Sequence, residues 1–330
     1  MHFVNFNLIS PWLLLLLPVH AQTNNTFVGY LISTFSDPNP TVQWHLSKGN
    51  DPSTYSFLNK GQPILRSTVG TKAVRDVFLV TNSARDEWFM ICTDLDVTVP
   101  GFSWDRVTRT GSRSMAIWKS KDLINWSDPN LTLVEDPTAG MLWAPSAVWD
   151  PTASQYFVFW SSQLYSPSDP SHKGIATPKR IRYATTKDFT TFGAPKDYLA
   201  PPNRALIDQE FLSLGKPNHF ARFYKDETAG SRVVIETTTD GLFGTWKTVG
   251  NVRTEGRREG PAAWADNQTP GKYYLLLDDY SQYLPYETSN IGVVPWVVPN
   301  WPNFPRGLKH GSVTPLTRGE YEAVAGRYLA

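Results

Sequence analysis

One pattern recurs along this chain and limits what it can fold into. A short apolar run opening on a carboxylate or a proline is followed by a polar turn, then by an aromatic-rich run. The openings are Arg75-Asp76-Val77-Phe78-Leu79-Val80, Ala144-Pro145-Ser146-Ala147-Val148-Trp149, Ile207-Asp208-Gln209-Glu210-Phe211-Leu212 and Glu259-Gly260-Pro261-Ala262-Ala263-Trp264. The aromatic-rich runs are residues 88–93, 156–161, 220–224 and 272–277. Runs of this length and composition, bounded by turn residues, read as β-strands. In the first three units a further strand leads into a Ser/Thr-x-Asp turn closed by an aromatic: residues 115–126, 181–192 and 233–246.

The units start at 76, 145, 208 and 259, at intervals of 69, 63 and 51 residues, and a fifth start fits at His310-Gly311-Ser312-Val313. The strands needed to complete the fifth unit can come from the N-terminal end, residues 27–35 and 42–47, where Trp44-His45-Leu46-Ser47-Lys48 echoes the third strand of the other units. With 26 Pro and 22 Gly and no long helical periodicity, the expected fold is all-β. Five units of short strands predict a five-bladed β-propeller closed by both ends of the chain. A β-sandwich or two small β domains remain alternatives on strand spacing alone. No Pro/Gly/Ser linker divides the chain, so residues 22–330 are expected to form a single domain. The Pro-rich stretch 285–305, with Trp296 and Trp301, reads as a loop packed on one face.

Residues 8–19 are apolar, contain five consecutive leucines and end at Val19-His20-Ala21. The stretch is too short to span a bilayer and has a small-residue cleavage pattern, so residues 1–21 read as a secretory signal peptide. Sequons at Asn24, Asn125, Asn130 and Asn267 agree with a secreted glycoprotein. Cys92 is the single cysteine, which excludes an internal disulfide and a cysteine-built zinc site. Lys and Arg number 31 against 30 Asp and Glu, which argues against a nucleic-acid or membrane-surface binder. A monomer is expected.

In a propeller the innermost strand of each blade lines the axis, so residues at the starts of those strands meet at one mouth. Three of the five starts carry an acid: Asp76, Asp208 and Glu259. One such Asp reads as a turn cap. Three at matched places read as a site whose members hold their protons unequally, which suits glycoside hydrolysis. Asp278-Asp279 reads as a turn cap, and His45, His172 and His219 lack ligand spacing.

These residues resemble the motifs of glycoside hydrolase family 43. Val74-Arg75-Asp76-Val77-Phe78-Leu79 resembles its R-D-P-hydrophobic motif, and Trp143-Ala144-Pro145-Ser146 its W-A-P-acid motif. Leu206-Ile207-Asp208 resembles the segment of the pKa-modulating aspartate, Glu259-Gly260-Pro261 that of the general acid, and Lys309-His310-Gly311 the late H-G segment. The resemblance spans about residues 27–328, with Val77, Gln209 and Ser146 departing from the family pattern. It implies a five-bladed propeller and an inverting mechanism. Asp76 would be the general base, Glu259 the general acid and Asp208 the modulator. An inverting pair stands about 6.5–9.5 Å apart. Substrates would be α-L-arabinofuranosides first, or β-D-xylosides, in arabinose- or xylose-containing polysaccharides or oligosaccharides. Arg75, Trp143 and His310 are the candidate substrate-binding residues, with Trp264 a weaker one. No cofactor is required. Related arabinan-cleaving enzymes carry a calcium ion in the channel, which would meet His310 through water.

Two other functions stay open. Asp37-Pro38-Asn39 with Arg75-Asp76 resembles the motifs of retaining fructoside hydrolases, although the spacing fits poorly and no E-C dipeptide exists. A non-catalytic carbohydrate-binding propeller would accommodate the departures from the family pattern.

Overall fold

The computed structural model describes residues 26–329; the stretch read as a signal peptide and the Asn24 sequon lie outside the described residues. The described residues open with β1 (Phe27–Ser36), β2 (Asn39–Lys48) and β3 (Asp51–Phe57). Blade 1 follows as β4 (Val74–Thr81), β5 (Trp88–Asp94), β6 (Ser114–Ser120) and β7 (Asn130–Leu133). Blade 2 is β8 (Trp143–Asp150), β9 (Gln155–Ser162), β10 (Arg180–Thr186) and β11 (Lys196–Leu199). Blade 3 is β12 (Leu206–Ser213), β13 (Phe220–Asp226), β14 (Arg232–Thr238) and β15 (Lys247–Asn251). Blade 4 has three strands, β16 (Glu259–Ala265), β17 (Tyr273–Asp278) and β18 (Tyr283–Thr288). Finally β19 (Ser312–Thr317) pairs with β1 and completes blade 5 in the order β19-β1-β2-β3. The inner strands β4, β8, β12, β16 and β19 neighbour one another around a closed ring. The molecule is the single-domain five-bladed propeller that the repeat predicts.

Successive side chains of a strand point to opposite faces. From β5, Trp88, Met90 and Cys92 pack toward blade 5, while Phe89 and Ile91 pack toward blade 2. Both faces are buried, which is why β5 reads as an unbroken apolar run. Five apolar clusters result, one in each cleft between neighbouring blades. Each large buried side chain contributes about 1.5–3 kcal/mol. Trp264 belongs to this core, between blades 4 and 5.

The Ser/Thr-x-Asp turns close as their chemistry requires. Ser120 Oγ accepts from the Leu123 amide at 3.0 Å and Thr186 Oγ1 from the Phe189 amide at 2.9 Å. Leu123 and Phe189 take left-handed backbones and are fully buried. The Pro-rich stretch is corrected by the structure. Its first residues belong to β18, and the rest returns along that strand, with Val297 bridging Glu287. Trp296 plugs the cleft between blades 3 and 4, so the stretch substitutes for a fourth strand.

Two helices were not legible in the repeat: α1 (Trp104–Thr110), between β5 and β6, and α2 (Arg318–Tyr328), after β19. A capping box between Thr317 and Glu320 starts α2, and Arg85 holds Glu320 through two nitrogens at 2.7 and 2.8 Å. Val324 and Tyr328 seal the cleft between blades 5 and 1.

The cleft between blades 1 and 2 also contains an ion pair. Arg182 Nε donates to Oε1 of the fully buried Glu135 at 2.9 Å, and Trp160 Nε1 donates to the same oxygen at 2.8 Å. Removing one partner of such a pair strands the other charge, at a cost of about 3–5 kcal/mol. Arg182→Met should lower the unfolding free energy by that amount in urea titrations. A loss below about 1 kcal/mol, the range of exposed pairs, would show that the cleft is wet.

Candidate active site

Four of the five inner strands carry a bulge near one mouth of the ring. The register slips between Arg75 and Phe78, Trp143 and Ser146, Ile207 and Glu210, and Glu259 and Ala262. The first bulged residue has positive φ each time: Asp76 at 52°, Ala144 at 48°, Asp208 at 56° and Gly260 at 54°. This backbone costs a non-glycine residue about 1–2 kcal/mol. A bulge re-aims its side chains, and here it aims carboxylates. Asp76 and Asp208 are thus equivalent in the repeat. Glu259 is not. It stands one residue earlier, at the position of Arg75, Trp143 and Ile207, and the bulge position of its own blade is Gly260. A Cβ at Gly260 would lie 2.6 Å from His310 Cγ, so no carboxylate could stand there beside that ring.

The residues paired with these pre-bulge positions are Thr93, Ser161, Lys225 and Asp278, and each reaches the next blade. Thr93 Oγ1 accepts from the Ala144 amide at 2.8 Å, and Ser161 Oγ accepts from the Asp208 amide at 3.0 Å. Lys225 Nζ donates to Glu259 Oε2 at 2.7 Å, and Lys309 Nζ donates to Asp278 at 2.9 Å. The bulges are therefore laced together around the mouth.

Three predicted carboxylates and His310 share this mouth. Asp76 accepts from Thr93 Oγ1 at 2.7 Å, and its Oδ1 lies 3.2 Å from His310 Nδ1. Burial works against its charge, but His310, Arg75 and Thr93 outweigh it and hold the carboxyl below the usual aspartate range. Asp208 accepts from the Gly260 amide at 3.2 Å. Burial, with the charges of Glu259 and Asp76, pushes Asp208 up to about 6 against the pull of His310 and Lys225. His310 is raised to about 9: burial opposes its charge, and Asp76, Asp208 and Glu259 overcome it. The site holds an ionised aspartate beside an imidazolium, a second aspartate reluctant to ionise, and a glutamate with one oxygen tied to an ammonium.

Arg75 does two things. Its guanidinium pairs with Asp37 at 2.8 Å and lies over the Phe35 ring, and its charge also helps keep Asp76 ionised. Asp37 is thereby engaged, with Lys309 Nζ 3.8 Å from its other oxygen. Trp143 sits at the mouth with the Lys179 ammonium 5.6 Å from its ring centre. His310 Nδ1 faces Asp76, and among the described residues no group of three His, Cys, Asp or Glu side chains could ligate a metal directly.

Sequence reasoning missed Lys225, Lys309 and the ion-paired role of Asp278, which also caps the Tyr280 amide at 2.8 Å. The signal was present. Lys225 and Asp278 end the second strands of their units, where Thr93 and Ser161 stand in blades 1 and 2.

Comparison with known proteins follows the same lines. A family model described as a probable glycosyl hydrolase domain, related to glycoside hydrolase family 43, matches residues 25–322. An α-L-arabinofuranosidase of Bifidobacterium longum subsp. longum is 32% identical over 230 residues, 65% of this chain. The chain spans only about a fifth of that relative, 21% of its length. Among solved structures, an exo-β-1,3-galactanase from Phanerochaete chrysosporium aligns at 13% identity and TM-score 0.48, over 82% of this chain and 53% of its own. The native arabinanase of Bacillus subtilis aligns at 16% identity and TM-score 0.43, over 76% of this chain and 81% of its own. The family match runs through all five blades, and the chain belongs to this glycosyl hydrolase family, a relative of glycoside hydrolase family 43.

Proposed function

We propose that the protein is a secreted inverting glycosidase that removes α-L-arabinofuranosyl residues from plant cell-wall polysaccharides, with β-D-xylosyl residues the second substrate. The observation that carries this is the contrast between two aspartates at the same bulge position, Asp76 held ionised and Asp208 pushed up to about 6. A base that stays ionised and a neighbour that resists ionisation are what a division of labour among carboxylates requires. The name of the Bifidobacterium relative favours arabinofuranose over xylose. The apolar stretch at residues 8–19 and the sequons favour secretion.

In this mechanism Asp76 takes a proton from a water that attacks the anomeric carbon, and Glu259 protonates the departing oxygen from the opposite side. Lys225 fixes Oε2 of Glu259, which leaves Oε1 to carry the proton. Asp208 is the modulator in this reading, accepting at 3.2 Å from the amide of Gly260, the residue after Glu259. His310 keeps Asp76 charged and oriented, and Arg75 and Trp143 border the sugar. No step is routed through a metal.

Glu259→Gln should lower kcat on an arabino-oligosaccharide about 10²–10⁴-fold. On a 4-nitrophenyl arabinofuranoside, whose leaving group needs little protonation, the loss should be much smaller. Asp76→Asn should lose activity on both. Activity within tenfold of wild type for both variants on the oligosaccharide would refute these assignments.

Asp208 also makes a stability prediction. Its folded pKa of about 6 lies above its ordinary 3.8, so the folded protein binds more protons than the unfolded chain between those values. Stability from this group is therefore present below 3.8 and lost as pH rises through 6. Relative to Asp208→Asn, wild type should lose unfolding free energy between pH 4 and 6 and hold a constant difference above. A flat difference across that window would show that Asp208 is solvated.

A further inference from the structure

Trp104 is the only exposed tryptophan among the described residues, at 56% exposure. It opens α1, a seven-residue helix too short to be stable on its own. The helix is pinned from outside. Arg109 Nη1 donates to the carbonyls of His172 and Gly174, both at 3.1 Å, and Gln163 Nε2 donates to the Thr108 carbonyl at 3.2 Å. The Gly111 amide just beyond donates to the Gly140 carbonyl at 2.8 Å. These bonds hold an apolar side chain in water, where burial gives it nothing.

Its place explains the arrangement. Trp104 meets Trp143 edge-on at 5.8 Å and Phe102 edge-on at 4.9 Å. Trp143 precedes Ala144, whose amide donates to Thr93 Oγ1, and that hydroxyl donates to Asp76. A continuous wall thus runs from the proposed base outward to Trp104. The Lys179 ammonium lies over the Trp143 ring, and Glu227 holds it there at 2.8 Å. Trp143 is the buttress of the wall, and Trp104 is its free indole.

We infer that Trp104 stacks on a second, neutral sugar ring of the substrate, beyond the ring that reacts. An indole offers a rigid apolar face with few rotamers to lose, which suits the C–H face of a sugar. The inference rests on the glycosidase reading of the mouth and adds to it a preference for chains of several sugars.

The test is calorimetric titration of the Glu259→Gln protein with α-1,5-arabinotriose, β-1,4-xylotriose and β-1,3-galactotriose, each against its monosaccharide. At least one trisaccharide should bind ten times tighter than its monosaccharide. Adding Trp104→Ala should remove that gap, and Trp104→Phe should restore most of it. A gap that Trp104→Ala leaves intact, or no gap in the parent, would overturn the subsite alone. Binding of no probe by a folded protein would overturn the glycosidase reading with it.

Discussion

β19 and β1 run antiparallel from Ser312 opposite Ser33 to Thr317 opposite Phe27, and this pairing of distant parts of the chain closes the ring. The mouth depends on it. His310 lies two residues before β19, so it faces Asp76 only while that strand is in place. The Ser312 hydroxyl accepts from the Leu79 amide at 3.0 Å, which ties the last inner strand to the first blade beside Asp76. Tyr283 of blade 4 bonds the backbone of Gly311 from the other side. The last blade is thus held by both neighbours, and α2 clamps its outer side through Arg85 and Tyr321.

A closed ring forces charges together, and a buried charge without a partner costs several kcal/mol. The mouth meets this by alternation. Asp76 faces His310, Glu259 faces Lys225, Asp278 faces Lys309 and Asp37 faces Arg75. Among the described residues Asp208 and Glu210 have no ion-pair partner, and burial pushes both up, Asp208 to about 6. The inequality among carboxylates that acid–base chemistry needs comes from burying them with unequal pairing: Asp76 is held down beside His310, while Asp208 is pushed up without an ion pair.

Much of this was legible in the chain itself, because a propeller repeats its backbone. The apolar openings and aromatic runs found the two inner strands of each blade, and the Trp44 echo found the closing blade. The outer strands β3, β7, β11 and β15 were not found. They run four to seven residues, are exposed or half-exposed, and carry no buried apolar face. Glu259 was found for its chemistry but misplaced by one register position, since a bulge does not show in composition. Lys225 was missed because a lysine ending a strand is ordinarily solvated; only the ring turns it toward the next blade's glutamate.

The most direct test of an inverting site is the stereochemistry of its product. Proton NMR would follow the protein on arabinan, arabinoxylan and an aryl xyloside. The account predicts that released sugar first appears as the inverted anomer and then mutarotates. A first product of retained configuration would contradict Asp76 as a base acting on water. No release from any of the three by a folded protein would contradict the proposed substrates.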